Sequence, residues 1–340
     1  MGRRKWTGPA SAAAVAGARR LAAEGIIRPG DSVVAVLTGH LLKDSGTTVD
    51  YHLGRLEGKE AAYAGLAGLP ALVLIPEGKI AYGKLAQALA HGAQTLQIRG
   101  DFDAAMQLVR QICDEVGIYL LNSLNPFRIE GQKAIMFELL QQRRWEPPDW
   151  IVFPAGNLGN TSAFGKALHE LHELGLLSRL PRLAAVQAHG ANPFYLSFAN
   201  GFERRERVTA HTVASAIRIG NPVSYDRAVR SLRWTDGLVT EVSDEEIMNG
   251  KAQVDGAGIG CEPASAAAVA GARRLAADGI IRPGDSVVAV LTGHLLKDPG
   301  TTVDYHLGRL EGIEAAYANR PRVIEPTLNA VRAALQGGAK

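Results

Sequence analysis

The chain has little cysteine, two residues in 340, Cys113 and Cys261. They make neither a disulfide framework nor a CxxC redox or zinc motif. Long apolar runs are missing as well. No stretch approaches the roughly 18 uninterrupted apolar residues of a membrane span, and no charged segment leads into an apolar one with a cleavage site. These absences predict a cytoplasmic protein with no membrane partner. Charge of one sign is scarce, because 37 Lys and Arg against 34 Asp and Glu leave a net +3. With aromatics at only 6% and no basic stripe interleaved with them, a nucleic-acid partner is not expected. The chain also lacks a GxGxxG fingerprint, a Walker loop closed by Gly-Lys-Ser/Thr, and a GxSxG elbow. No spaced set of Cys, His and carboxylates makes a metal site, and His169 and His172, three apart on one predicted helix, lack further ligands.

What is present is an α/β pattern in an Ala-rich chain long enough for two lobes. Leu69 to Pro76 reads as a buried strand, and a helix follows from about Lys79 to His91. Thr95 to Ile98 is a strand, Phe102 to Val116 a helix and Ile118 to Leu121 a third strand, so the order βαβαβ predicts a small parallel sheet. Ile129 to Arg143 reads as a helix, Trp150 to Phe153 as a strand, Thr161 to Leu174 as a helix and Leu183 to Gln187 as a strand. Leu238 to Val242 precedes Ser243-Asp244-Glu245-Glu246, a capping box that should start a helix leading toward Gly256. A last Ala-rich helix spans about Thr327 to Gln336. The fold class is α/β, with open, mostly parallel sheets covered by helices on both faces.

One long segment occurs twice. Residues 9–64 return as residues 263–318 at a constant offset, differing only at Glu24/Asp278, Ser45/Pro299 and Lys59/Ile313. A single long unit repeated once is not a solenoid. The unit reads as helix (Ser11 to Glu24), an Arg-Pro-Gly-Asp turn, a short apolar strand (Val33 to Leu37) and a loop opening on Thr-Gly-His. The same central position in a sheet suits both copies, which calls for an added partner strand, exchange between chains in a homodimer, or one copy left over. The boundaries that follow are 1–60 for the duplicated segment, 61–126 for a small α/β lobe, 127–320 for a large lobe, and 321–340 for a C-terminal helix and tail.

Two loops carry candidate chemistry. Gly156-Asn157-Leu158-Gly159-Asn160-Thr161, between a strand and a helix, is either an anion cradle of backbone N–H groups at a helix's positive end or a tight turn with Asn caps. Asn122-Ser123-Leu124-Asn125-Pro126-Phe127-Arg128 either offers short donors and one planar guanidinium to a second anion or is an Asn-Pro turn with a surface arginine. Thr292, at the end of the second-copy strand, places a hydroxyl where a heteroaromatic nitrogen could be met.

Several long motifs in a fixed order carry a resemblance. PALVLIPEGKIAYGKLAQALAHGA, NSLNPFRIEGQK, PAGNLGNTSA, AIRIGNP, CEPASAA and LTGHLLKD together resemble threonine synthase, within the tryptophan-synthase-β-like, fold type II family of pyridoxal-phosphate enzymes. The resemblance implies that Gly156, Asn157, Gly159, Asn160 and Thr161 cradle the phosphate of pyridoxal 5′-phosphate and that Thr292 meets its pyridine nitrogen. It implies that Asn122, Ser123, Arg128 and Asn157 hold the phosphate of O-phospho-L-homoserine, a small phosphorylated amino acid, on the way to L-threonine. Threonine dehydratase and cysteine synthase are the alternatives within the same fold. The family's lysine segment, Ser-Phe-Lys-Asp-Arg-Gly, and its Ser-Thr-Gly-Asn substrate loop are spelled nowhere in this chain. Residues 1–60, where both would lie, carry the first copy of the repeat. Covalent attachment of the cofactor is therefore not expected, turnover is expected to be impaired, and no catalytic residue is assigned.

Overall fold

The computed structural model describes residues 72–77, 82–90, 92–100, 102–116 and 126–336. The first repeat copy, Asn122, Ser123 and the expected strand Ile118 to Leu121 lie outside them. The described part is α/β, with two parallel sheets.

The smaller sheet pairs β1 (Leu72–Pro76) with β2 (Gln94–Ile98) in parallel. α1 (Tyr82–Ala90) connects them, and α2 (Phe102–Val116) follows. The crossover is the one a parallel pair requires. Ile75, Leu85 and Ala86 form its small core.

α3 (Pro126–Gln132) and α4 (Ala134–Gln142) lead to the larger sheet. Its strands are β3 (Trp150–Pro154), β4 (Arg182–Ala188), β5 (Leu238–Val242) and β6 (Val287–Ala289), in the order β5-β4-β3-β6 and all parallel. All five residues of β3 are buried, as expected for a strand with helices over both faces. Those helices are α5 (Gly159–Glu173), α6 (Pro193–Ala199), α7 (Tyr225–Trp234), α8 (Asp244–Gly256) and α9 (Pro263–Ala277). The second copy continues through a short 3-10 turn, Leu295–Lys297, into α10 (Pro299–Leu307), and α11 (Leu328–Gln336) comes last. Among the described residues no helix is long and apolar enough to cross a membrane.

Three differences from the sequence reading have physical causes. The helix expected from Ile129 to Arg143 begins earlier, at Pro126, whose missing N–H costs nothing at a first helical position. It also tightens at Lys133, whose N–H is shared between the carbonyls of Ile129 and Glu130, both at 3.3 Å. The strand expected in the second copy is shorter, three residues. Among the described residues β6 is the edge next to β3, and Val287 is 38% exposed.

Local rules account for the rest. The Ser243 side chain accepts from the Glu246 N–H at 3.1 Å, and the Glu246 carboxylate accepts from the Ser243 N–H at 2.7 Å, which closes the expected capping box of α8. Arg274 of α9 adds a two-pronged pair to the same carboxylate at 2.7 Å. Burial pushes the Glu246 carboxyl up, but Arg274 and the Ser243 N–H outweigh it and hold the group below the usual range. Lys251, nearly wholly buried, is paired with Asp255 one turn on, and Asp255 also accepts from the Cys261 N–H at 3.0 Å. The pair closes the exit of α8, where Gly258 and Gly260 take positive φ.

Two helix contacts depend on absent side chains. A Cβ on Gly165 of α5 would lie 2.1 Å from the Ser231 Cβ of α7, and one on Gly271 of α9 would lie 2.4 Å from a Val186 methyl. Gly165→Ala is expected to destabilise the fold by about 1–3 kcal/mol through overpacking. Gly256→Ala, with open space around it, should be neutral or slightly stabilising. Equal urea midpoints for the two variants would refute the close-packing account. Cys261 supplies a pH test, because burial first and then the Asp255 charge push its thiol from 9.0 up to about 11. The group is raised, so its contribution is fully present below the unfolded value and is lost as pH rises from 9.0 toward about 11. Stability should therefore decline over that window more steeply in the native chain than in Cys261→Ala, measured by urea melts. At pH 8 a thiol reagent should label half-buried Cys113 well before Cys261.

Candidate functional site

β3 ends at Pro154 and runs through Ala155 into the glycine-asparagine loop, so the loop's position is set by the most buried strand. Gln187, buried on neighbouring β4, donates to the Ala155 carbonyl at 3.1 Å and accepts from the N–H groups of Phe194 and Tyr195 at 2.8 and 3.0 Å. One amide thus holds the loop's first residue and satisfies the start of α6.

The loop crosses the backbone of residues 216–217 closely. A Cβ on Gly156 would sit 3.1 Å from both the Ala216 oxygen and the Ile217 Cα, so a side chain there would push the two segments apart. Leu158 takes the left-handed conformation, φ 64°, and α5 begins at Gly159. Asn157 anchors the far side: its Oδ1 accepts from the Val223 N–H at 3.1 Å and its backbone carbonyl from Ser224 at 3.2 Å. Its amide oxygen is thereby committed to the 220s segment.

These features frame a cavity of about 170 Å³. The first turn of α5 lines it with Gly159, Asn160 and Thr161. Gly156, Asn157 and Leu158 line the loop side, Arg128, Ile129 and Gln132 come from α3, and Ala264 and Thr292 come from the second copy of the repeat. Of the residues that the sequence reading singled out, Arg128, Gly156, Asn157, Gly159, Asn160, Thr161 and Thr292 are thus brought together around one space, across three separate chain segments. Asn122 and Ser123 are not among the described residues. A molecule of liquid water takes about 30 Å³, so an anion the size of phosphate fits.

The chemistry of the walls favours an anion. The backbone N–H groups at the first turn of α5 have no partner four residues back, and the helix dipole adds partial positive charge there. Arg128 contributes a guanidinium. Two polar atoms of the wall, Thr161 Oγ1 and Gln132 Oε1, are buried without a hydrogen-bond partner among the described residues. Buried polar atoms are normally satisfied, so these two ask for a bound group. A hydroxyl can donate, and a turned Gln132 amide presents its NH2 in the same place, oxygen and nitrogen being interchangeable by a flip. Gln132 is a lining residue that sequence reasoning missed. Its only sequence signal is its position four residues after Arg128, which puts both on one helix face.

An ion network fixes α3 against α5. Lys133 meets Glu130 at 2.7 Å and Glu170 at 2.5 Å, and Lys166 pairs with the same two carboxylates. Hydrogen bonds from Lys133 and Lys166 hold the Glu130 carboxyl below its usual range. Such half-exposed pairs add little stability individually. Their effect here is register, keeping Arg128 and Gln132 opposite Thr161.

On the opposite wall, Ser265 near the start of α9 orients Thr292. Its Oγ lies 3.3 Å from the Thr292 Oγ1 and accepts from the Gly293 N–H at 2.8 Å. His294 caps the following turn through its Nδ1, which accepts from the Leu296 N–H at 3.1 Å. No group of three metal-ligating side chains occurs among the described residues. Among the described residues no lysine lines the cavity: Lys133 and Lys166 belong to the ion network, and Lys251 is held by Asp255. His169 stacks on Trp234 with ring centroids 4.1 Å apart, and His172 Nδ1 is 3.0 Å from the Leu177 carbonyl oxygen.

Comparison with known proteins bears on this geometry. The family model described as pyridoxal-phosphate dependent enzyme matches residues 60–293. Threonine synthase of Methanosarcina acetivorans is 45% identical over 284 residues, covering 82% of this chain and 67% of that protein. The chloroplastic threonine synthase 2 of Arabidopsis thaliana is 42% identical over 273 residues, covering 80% of this chain and 53% of the relative. The chain thus spans between about half and two thirds of the length of these relatives. Among solved structures, threonine synthase from Escherichia coli superposes with a TM-score of 0.59 at 24% identity, over 80% of this chain and 65% of that one, a likeness of fold. With a family match over most of its length and a close resemblance to threonine synthases, the chain belongs to the pyridoxal-phosphate dependent enzymes.

Proposed function

We propose that this chain is a threonine-synthase-type protein that binds pyridoxal 5′-phosphate through its phosphate, reversibly, and converts O-phospho-L-homoserine and water to L-threonine and phosphate poorly or not at all. The observation that carries the binding half is the cavity. Seven residues singled out from sequence line it together, and two of its buried polar atoms are left without partners. The observation behind the impaired half is that the family's lysine segment is not spelled in the sequence and that no lysine among the described residues lines the cavity.

The bound cofactor supplies an electron-withdrawing ring. This chain's residues do the holding. The N–H groups of Gly159, Asn160 and Thr161, with the Thr161 hydroxyl, hold the phosphate at the positive end of α5. Thr292 is kept by Ser265 where its hydroxyl can meet the ring nitrogen. Arg128, on the face opposite the loop, is placed for the phosphate of the substrate, a small amino acid. A substitute amine would need to be close and deprotonated, and the described lysines are either paired with carboxylates or away from the cavity.

The first test is an absorbance titration with pyridoxal 5′-phosphate, followed by dialysis, borohydride reduction and peptide mapping. Saturable, fully dialysable binding with no lysine fixed by borohydride is the expected result. A stoichiometric adduct on one lysine would overturn the impaired half, and no saturable binding would overturn the cradle. Thr161→Val should weaken binding about 2- to 10-fold, the equivalent of one neutral hydrogen bond. Arg128→Ala should leave cofactor binding within about twofold. It should weaken competition by O-phospho-L-homoserine or inorganic phosphate about 10-fold or more, as loss of a charge-assisted contact does.

A further inference from the structure

Residues 263–318 fill a defined slot in the larger sheet's helical layer. Of α9, Pro263, Ala264, Ser265, Ala266, Ala267, Ala268, Ala270, Gly271 and Leu275 are buried. The slot holds them through residues outside the repeat: Val186 receives Gly271, Glu246 receives Arg274, and Trp150 Nε1 donates to Asp285 at 3.2 Å. Further along, the Tyr305 hydroxyl donates to Asn249 at 2.6 Å. Every one of these repeat residues has an identical counterpart 254 positions earlier. The three differences avoid the contacts: Asp278 is an exposed C-cap, Pro299 starts α10 half-buried, and Ile313 is half-buried beyond it.

We propose that residues 9–64 are an alternative occupant of this slot, competing within the same chain with residues 263–318. Tethering favours the same chain. α1 of the smaller sheet touches the 295–297 turn and α10, so the smaller sheet stands beside the slot. Eight peptide steps from Ala64 to Leu72 span up to roughly 28 Å, and a short tether gives an effective concentration near millimolar. The exchange conserves the cavity, because Ala10 and Thr38 replace Ala264 and Thr292 letter for letter. The resident copy keeps two advantages. Pro299 suits the first position of a helix better than Ser45 does, and Glu262, the residue before the repeat and the buried N-cap of α9, is Gly8 in the other copy. Residues 9–64 are thus the minor occupant.

Disulfide trapping distinguishes the two occupants. A Cβ at Gly250 lies 3.8 Å from that of Ala270, the mean spacing across a disulfide, and Ala16 is the counterpart of Ala270. Full-length Gly250→Cys/Ala270→Cys and Gly250→Cys/Ala16→Cys are oxidised in a thiol-disulfide buffer, and the linked peptides are identified by mass spectrometry. Both links should form within one chain, the 16–250 link more slowly. Adding Gly17→Leu, which would place a side chain against Val186 only if the first copy entered, should cut the 16–250 link at least tenfold. Adding Gly271→Leu should raise it severalfold. A 16–250 link that stays absent in the Gly271→Leu background overturns the proposal. So does one indifferent to Gly17→Leu, or one that forms only between chains.

Discussion

The close approach of α9 to the larger sheet is the contact on which the remaining arrangement depends. Gly271 lets the helix backbone come so near Val186 that a single added carbon would lie 2.4 Å from its methyl. Small residues on the same face extend that approach along the helix. The consequence is positional. α9 brings Ser265 to the turn that carries Thr292, and it brings Arg274 to the capping box of α8. The far wall of the cavity is therefore placed by helix packing rather than by its own contacts. A polar site built in this way needs few hydrogen bonds of its own, because the backbone that presents it is already fixed by apolar burial.

The near wall is set differently. Its loop follows the fully buried β3, crosses residues 216–217 closely enough that a side chain on Gly156 would force a shift, and enters α5 through a left-handed Leu158. That turn exposes the first N–H groups of a 15-residue helix to the cavity, and the ion network between α3 and α5 keeps Arg128 on the opposite side. Positive potential is concentrated at one point by a dipole, a guanidinium and unpaired donors. The same elements would repel a cationic ligand, so the wall selects by charge before it selects by shape.

Much of this was legible in the sequence. The capping box at Ser243, the Pro and Gly flanking α9, and the strand running into a glycine-asparagine loop are local rules with local outcomes. The edge position of β6 among the described residues was not legible, because an apolar run of five residues reads the same in a central strand as beside one neighbour. Nor was the tightened turn at Lys133, where cross-helix pairing with Glu170 decides the outcome and apolar spacing does not. Gln132 escaped notice for a related reason. A glutamine on a helix face is usually solvated, and here only the approach of α5 buries its amide oxygen without a partner among the described residues.

The cavity and the lysine question separate the two halves of the family's chemistry in this chain. The cavity is lined from residues 128–161, from Ala216 and Ile217, and from Ala264 and Thr292 of the second copy, and the first copy spells the same two letters at Ala10 and Thr38. Among the described residues, however, the second copy supplies no lysine to the wall. Lys297 lies five residues past the cavity threonine, in the turn capped by His294, and Lys43 has the same spacing from Thr38 in the sequence. Under the proposed exchange the same alanine and threonine would face the cavity whichever copy lies against the sheet. Affinity for a phosphorylated ring can persist under such an arrangement without the amine that would make the ring reactive, because the two depend on different segments of the chain.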